Sequence, residues 1–325
     1  MGRGAGGRCG GAGEIGMKYT SGGITAKTGQ ALSLEVPIAG APKSDAPKTD
    51  TPKTDTPKTD MPKEQPKSAV REGYDLLPED LKTRYLKMSF TLDGEQIDIS
   101  LEHLIYQNLS LAPDKNKFNE PCKNAIAGLV GQLQKNEKEW LEQNIGATLA
   151  TGKPAFVMHA MCGKGSPEQM QAVLKIAGHC RAKLGQHWTD KGSLSESLKE
   201  FYHSNMGLDC SGFAGNYARA LGGTALEPNT PIPAFAPPGK RRHKVEEILP
   251  GDVIIWNPGH IATIQGKRDD GMFDIVESNG EPEVQGLGNT VRELKETGSD
   301  TFHIRKRHLD GTMGKQEDVW VATIK

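Results

Sequence analysis

A cysteine stands at the start of a segment whose pattern predicts a helix. Cys210 is followed by Ser211, Gly212 and Phe213, and the segment 210–223 ends in two glycines. The first backbone N–H groups of a helix have no partner within it, and the helix dipole makes that end positive. Both effects favour a thiolate, the form of cysteine that attacks carbonyl carbon. The segment therefore predicts a nucleophilic thiol held at the tip of a helix.

Polar residues farther along the chain follow the order that a cysteine nucleophile needs for proton transfer. His260 begins a predicted strand, and Glu277 and Asn279 lie at the end of the next one. An imidazole can take the thiol proton, and a third polar group can hold the ring in the useful tautomer. We expect either Glu277 or Asn279 to fill this third role. The alternative for Cys210 is a small buried residue without chemistry, which is common for a free cysteine.

These motifs resemble the NlpC-type and CHAP-type cysteine peptidases and amidases of the papain-like superfamily. The resemblance rests on Asp-Cys-Ser-Gly-Phe at 209–213, Pro-Gly-Asp at 250–252, Gly-His-Ile at 259–261 and Glu-Ser-Asn at 277–279. It covers residues 165–325, and the motifs are specific in combination although each alone is weak. It implies an α+β fold, a papain-like catalytic domain with helices packed on an antiparallel sheet.

The resemblance also implies a reaction. Cys210 is the nucleophile, His260 is the general base and then the acid, and Glu277 or Asn279 orients the imidazole. The substrate it implies is a peptide of bacterial peptidoglycan, cleaved at an amide bond by a thiol-dependent peptidase or amidase. No metal and no organic cofactor is implied.

Three further residues receive substrate-binding roles through the same resemblance. Asp209 and Ser211 flank the cysteine and match positions that hold a free amino group of the substrate in NlpC-type enzymes. Tyr202 is the nearest tyrosine before the cysteine. It matches, at a shorter spacing, a tyrosine that helps bind the oxyanion in those enzymes.

Composition excludes several other classes of function. The chain has 325 residues with 40 basic and 41 acidic side chains, so it has no chain-wide basic surface for nucleic acid. Five cysteines do not form a disulfide framework, and His179-Cys180 has no second pair at metal-ligand spacing. No apolar run approaches about 18 residues, so we expect no membrane insertion. The short basic cluster at 240–244 is expected to meet solvent or an anionic wall polymer.

The chain divides by composition into segments. Residues 1–40 are predicted to be a flexible arm, and residues 41–69, where proline recurs every five residues in Pro-Lys-Thr-Asp units, a disordered linker. Residues 70–160 are expected to form a small α+β accessory region, and residues 165–325 the catalytic domain. The glycine-rich start lacks the apolar region of a signal peptide, so the route to the cell wall stays open. Translation from Met17 is an alternative start.

Local patterns predict the elements of the accessory region. Apolar spacing predicts helices at 77–87, 101–109 and 120–144, a hairpin turning at Asp93-Gly94, and a strand at 155–160. A helix is expected to begin at Ser166, which has proline next to it and an acid in the first turn.

Two rival functions share the same motifs. The Cys–His pair also serves acyl transfer to a nucleophile other than water, and a cell-wall-binding module can keep the fold without turnover. Digestion of purified walls by the protein and by its Cys210→Ala variant separates catalysis from binding.

Overall fold

A computed structural model describes residues 74–101, 120–223, 230–256, 259–280, 286–298 and 300–324. All of them belong to one compact unit, Glu64–Lys325. The predicted arm at 1–40 and linker at 41–69 lie outside the described residues, as does the predicted helix at 101–109 apart from Leu101. Within the described ranges, no helix combines the length and apolar character needed to cross a bilayer.

The first elements are a helix and a hairpin, as predicted. Helix α1 spans Pro78–Leu86, and strands β1 (Met88–Leu92) and β2 (Glu95–Ile99) pair antiparallel. Asp93 and Gly94 have φ values of 52° and 80°, and this left-handed backbone at both turn positions matches the right-handed twist of the two strands.

The helices that follow correct two predictions. They are α2 (Glu120–Asn136), α3 (Lys138–Ile145), α4 (Ala147–Thr151) and α5 (Ala155–Met161). The single helix predicted for 120–144 is wrong, because the backbone leaves the helical region at Glu137 with φ −140° and ψ 42°. The predicted strand at 155–160 is also wrong. Its buried residues, Phe156, Val157, Ala160 and Met161, have helical spacing, which a short apolar run does not distinguish from a strand.

Three further helices lead to the candidate nucleophile: α6 (Pro167–His179), α7 (Leu194–Asn205) and α8 (Cys210–Ala220). The predicted start at Ser166 is confirmed. Its hydroxyl accepts the N–H of Gln169 at 3.3 Å, and the Gln169 side chain accepts the N–H of Ser166 at 3.0 Å. This reciprocal pair satisfies two groups that the helix start leaves open.

The remaining strands close into a barrel. They are β3 (Asp252–Trp256), β4 (His260–Lys267), β5 (Phe273–Asn279), β6 (Gly286–Glu296), β7 (Phe302–Arg307) and β8 (Glu317–Thr323). Each strand pairs antiparallel with the next, and β3 also pairs with β8. The α+β class is therefore confirmed. The expected antiparallel sheet is present, and it closes into a six-stranded barrel, a closure that the sequence did not predict.

Side-chain alternation gives the barrel an inner and an outer row of residues. Every barrel strand contributes to an inner core, which includes Ile254, Ala262, Ile264, Phe273, Ile275, Leu294, Ile304 and Val321. The alternate residues, among them Val253, Ile255, Ile261 and Val276, pack in the core that the helices share. His260 lies two positions before Ala262 on β4, and Glu277 lies two positions after Ile275 on β5. Each is therefore on the same face of its strand as that inner residue. Both residues therefore continue the inner rows at one end of the barrel.

The predicted accessory and catalytic segments share one hydrophobic core. This core runs from Tyr74 to Ile324. The Tyr74 hydroxyl lies 2.9 Å from Oγ1 of Thr323, and the N–H of Glu79 donates to Gln265 at 2.9 Å. The described part of 70–160 is therefore packed against the barrel and does not have a core of its own.

Candidate active site

Cys210 occupies the first position of α8. The carboxylate of Asp209 caps this helix by accepting the N–H of Gly212 at 2.5 Å, and the N–H of Phe213 donates to the carbonyl of Asp209 at 3.0 Å. Among the described residues, no acceptor meets the N–H groups of Cys210 and Ser211. Of the described cysteines, Cys210 is partly exposed, whereas the others are buried. The predicted nucleophile thus lies at a helix start that solvent reaches.

His260, the first residue of β4, connects the cysteine to a carboxylate. Its Nε2 lies 2.7 Å from Oε2 of Glu277, and its ring interacts electrostatically with the side chain of Cys210. Since Glu277 engages Nε2, Nδ1 is the nitrogen left for the thiol. Burial lowers the pKa of His260, but the interactions with Cys210 and Glu277 outweigh it and raise the pKa to about 9. The imidazole is therefore protonated at neutral pH when it faces a thiolate.

Glu277 is fully buried and bonded at both oxygens. Besides His260, it accepts the Thr290 hydroxyl at 2.5 Å and the Arg292 guanidinium at 2.7 Å, both on Oε1. Burial by itself would raise the pKa of Glu277. The His260 bond and the Arg292 charge outweigh it and hold the pKa at about 2. Glu277 is therefore an ionised, immobile partner for the imidazole.

The two candidates for the orienting group occupy different places. Glu277 contacts the imidazole directly, whereas the side-chain amide of Asn279 donates to Oε2 of Glu277 at 3.4 Å. The structure thus brings Cys210, His260 and Glu277 together in that order, with Asn279 beside the carboxylate.

Trp256 and Arg292 lie close to the imidazole at this end of the barrel. The Trp256 ring lies 5.0 Å from the His260 ring, centroid to centroid, and the Arg292 guanidinium lies 5.1 Å from the Trp256 centroid. Trp256 Nε1 donates to Glu317 at 3.0 Å. Sequence reasoning missed Trp256, Thr290 and Arg292. The only available signal was that Thr290 and Arg292 are polar at alternate positions of one strand, and this does not reveal which residue lies opposite.

Hydrogen bonds from two directions hold the helix start in place. The hydroxyl of Ser278, next to Glu277, donates to the carbonyl of Leu208 at 2.6 Å. The N–H of Asp209 donates to the carbonyl of Gly163 at 3.0 Å. A Cβ at Gly212 would overlap that same carbonyl oxygen, so only glycine permits this approach. The Gly in the Asp-Cys-Ser-Gly motif is thereby explained by packing.

The three predicted substrate-binding residues are all buried. Asp209, Ser211 and Tyr202 are 7%, 8% and 1% exposed. The ammonium of Lys164 lies 2.9 and 2.7 Å from the two carboxylate oxygens of Asp209 and also donates to Ser211. Burial raises the pKa of the Asp209 carboxyl, and Lys164 acts against this rise. A substrate-binding role for these residues stays a prediction, and a cation of this chain already contacts Asp209 and Ser211.

The basic cluster at 240–244 is partly structural, which corrects the expectation that it meets solvent or polymer as a whole. Arg242 forms two bonds of 2.8 and 2.9 Å with the buried carboxylate of Asp252, and Arg241 lies 3.9 Å from the Trp320 ring centroid. Asp252 also accepts the N–H of Leu249 at 3.0 Å. The aspartate of the Pro-Gly-Asp motif therefore fixes the start of β3 to the preceding segment.

Fold and site together define an α+β protein in which a helix-borne cysteine faces a histidine and a glutamate at the end of a closed antiparallel barrel. Comparison with protein-family models, with curated proteins and with solved structures gave no match. Within the described ranges, no group of three or more His, Cys, Asp or Glu side chains could hold a metal ion. Any assignment of function must therefore come from the residues of the site.

Proposed function

We propose that this protein is a thiol-dependent hydrolase that cleaves amide bonds in the peptides of bacterial peptidoglycan. The observation that carries the proposal is the alignment of Cys210, His260 and Glu277, in which Glu277 contacts His260 at 2.7 Å and the imidazole interacts with the cysteine side chain. Nucleophile, base and orienting acid stand in the order that covalent acyl chemistry requires. A papain-like fold belongs to the same proposal. It is supported by a cysteine at a helix start that packs beside an antiparallel barrel bearing the histidine.

The reaction begins with a thiolate–imidazolium pair. The sulfur of Cys210 attacks the carbonyl carbon of the scissile amide, and the electron pair of the C=O bond moves to oxygen. When the tetrahedral adduct collapses, His260 gives its proton to the departing nitrogen, and a thioester remains on Cys210. Neutral His260 then takes a proton from water, and the resulting hydroxide attacks the thioester and releases the acid. Throughout this cycle Glu277 stays ionised and holds the ring.

Charge on the carbonyl oxygen needs stabilisation during attack. The backbone N–H groups of Cys210 and Ser211 lie at the start of α8, where the described residues offer them no acceptor. Unpaired N–H groups and the positive end of the helix dipole favour a developing oxyanion. We therefore assign the start of α8 to both tasks, thiolate and oxyanion stabilisation.

The substrate class comes from the sequence motifs and not from the geometry. The Asp-Cys-Ser-Gly-Phe, Gly-His-Ile and Glu-Ser-Asn segments resemble those of enzymes that cut cell-wall peptides. Because peptidoglycan lies outside the cytoplasm, the proposal places the site of action at the cell wall. The same Cys–His pair would serve acyl transfer if an amine instead of water attacked the thioester.

Digestion of purified peptidoglycan tests the proposal. The wild type, Cys210→Ala and the control Cys180→Ala, whose thiol is buried at the end of α6, are incubated with walls, and the soluble fragments are analysed by mass spectrometry. We expect the wild type and Cys180→Ala to release fragments that have gained one water for each cleaved bond. Cys210→Ala should release none. Fragments joined to an added amine would instead indicate acyl transfer. Wall binding by all three without fragments would indicate a binding module.

A further inference from the structure

A buried lysine lies beside the candidate nucleophile. Lys164 is 1% exposed and stands in the turn between α5 and α6. Removing an ammonium and a carboxylate from water is expensive unless the two are well paired. An N-cap carboxylate that faces water is satisfied by the helix N–H groups without a cation. The presence of Lys164 therefore needs a reason beyond helix capping.

Lys164 contacts the residues on both sides of Cys210. Its Nζ lies 2.7 and 2.9 Å from the two oxygens of Asp209, and it also donates to Oγ of Ser211. The Ser211 hydroxyl donates in turn to Asp209 Oδ1 at 3.2 Å. Both neighbours of the nucleophile are thus bound by one internal cation, with Cys210 between them.

The backbone around Lys164 is attached to the same helix. The carbonyl of Gly163 accepts the N–H of Asp209, and the amide of Asn216 donates to the carbonyls of Lys164 and Gly165 at 3.2 and 2.9 Å. These bonds fix the lysine at two levels of α8, one at its start and one about two turns farther on. The ammonium is therefore presented by a rigid loop.

We propose that Lys164 is a positioning residue for Cys210, which cancels the charge of Asp209 and thereby lets the neighbouring sulfur ionise. The proposal rests on the proposed role of Cys210 as a nucleophile. A bare, buried carboxylate next to the cysteine would repel a thiolate, because a like charge disfavours ionisation. Paired with Lys164, Asp209 keeps its capping function without that repulsion.

Charged and titratable groups reach the cysteine from two sides. His260, backed by Glu277, faces it from the barrel, and the Lys164–Asp209 pair lies on the helix side. Cys162 lies near this pair and within 3.5 Å of the ammonium of a second buried lysine, Lys123. Lys123 therefore offers a matched control, since it is equally buried but adjoins a different thiol.

Alkylation of Cys210 by iodoacetamide tests the proposal without any peptidoglycan. Peptide mass spectrometry follows the rate at this one thiol between pH 5 and 9, and near-ultraviolet circular dichroism checks the fold. We expect Lys164→Met to slow alkylation at neutral pH by about tenfold, because an uncompensated negative charge beside the thiol disfavours the thiolate that reacts. Lys123→Met should leave the Cys210 rate unchanged. A folded Lys164→Met protein that reacts like the wild type would overturn the proposal.

The charge of Asp209 provides two further variants, which remain informative if Lys164→Met does not fold. Asp209→Asn keeps a capping oxygen but leaves the cation unpaired, so alkylation should become faster than in the wild type. Lys164→Met combined with Asp209→Asn removes both charges and should restore most of the lost rate. If Asp209→Asn is not faster and the double variant is no better than Lys164→Met, Lys164 is only structural. Because alkylation needs no hydrolysis, this failure is distinct from failure of the proposed function.

Discussion

The carboxylate of Glu277 lies 2.7 Å from Nε2 of His260, although the two residues are 17 positions apart on successive strands. Burial alone would raise the pKa of Glu277, and the contact with His260 acts in the opposite direction. Since Arg292 and Thr290 occupy the other carboxylate oxygen, Glu277 is held as an anion with a pKa of about 2. A fixed anion behind the imidazole favours the imidazolium that the thiolate needs as its counterion.

Replacement of Glu277 by glutamine separates the two candidates for the orienting group. Glu277→Gln keeps the shape but removes the charge, so we expect kcat/KM to fall by about 100-fold or more, in line with such substitutions in catalytic triads. Asn279→Ala removes a 3.4 Å contact to Glu277 but leaves the carboxylate on the imidazole, so it should cost about tenfold or less. Rates of soluble peptide release from purified walls measure both. A larger loss for Asn279→Ala would reverse this assignment.

The raised pKa of His260 predicts how activity depends on pH. The protonated ring donates to the leaving nitrogen, and its pKa of about 9 means that acylation is lost as the pH rises through that value. In Glu277→Gln the basic limb should move toward the ordinary value of 6.5. Profiles of kcat/KM between pH 6 and 10 check this. The same basic limb in both proteins would show that Glu277 does not support the imidazolium.

The two shifted groups also predict opposite effects on stability. The pKa of Glu277 is lowered from 4.5 to about 2, so its contribution to folding is present above pH 4.5 and is lost as the pH falls toward 2. The pKa of His260 is raised, so its contribution is complete below pH 6.5 and is lost as the pH rises through about 9. Urea denaturation of wild type and Glu277→Gln at several pH values measures both. Parallel pH curves for the two proteins would contradict this linkage.

Loss of the Arg292 cation that pairs with Glu277 should destabilise the barrel. Arg292→Met leaves the buried carboxylate without its charged partner, which typically costs about 3–5 kcal/mol. The exposed pair of Lys199 and Glu196 provides the control, and Lys199→Ala should change stability by less than about 1 kcal/mol. Urea midpoints give both values. Equal effects of the two substitutions would mean that the buried pair contributes nothing beyond a surface contact.

A methyl group at Gly212 should separate the nucleophile helix from the turn that carries Lys164. Gly212→Ala would place Cβ on the carbonyl oxygen of Gly163, so either the helix start moves or the protein loses stability. We expect a loss of activity together with a lower Tm. Gly131→Ala in α2 meets no atom within 4 Å and should stabilise that helix by about 0.5–1 kcal/mol. An active, equally stable Gly212→Ala protein would contradict the close approach.

The amino-acid sequence by itself determined the local structure of the site. The start of α8 at Cys210, the hairpin at Asp93-Gly94 and the strand that begins with His260 all depend on backbone hydrogen bonds and turn chemistry within a few residues. Such short-range causes are visible in a linear pattern. Where the local pattern suits both helix and strand, as at 155–160, the prediction was wrong.

Only the tertiary structure decided which groups meet across the fold. Lys164 and Asp209 are 45 positions apart, and Arg292 lies 15 positions after Glu277. Strand alternation gives the face of each side chain, but the residue opposite it depends on the register and on the closure of β3 with β8. A buried charge is stable only where such a partner arrives, so the ionic surroundings of Cys210 and the choice of Glu277 over Asn279 follow from the packing of distant segments.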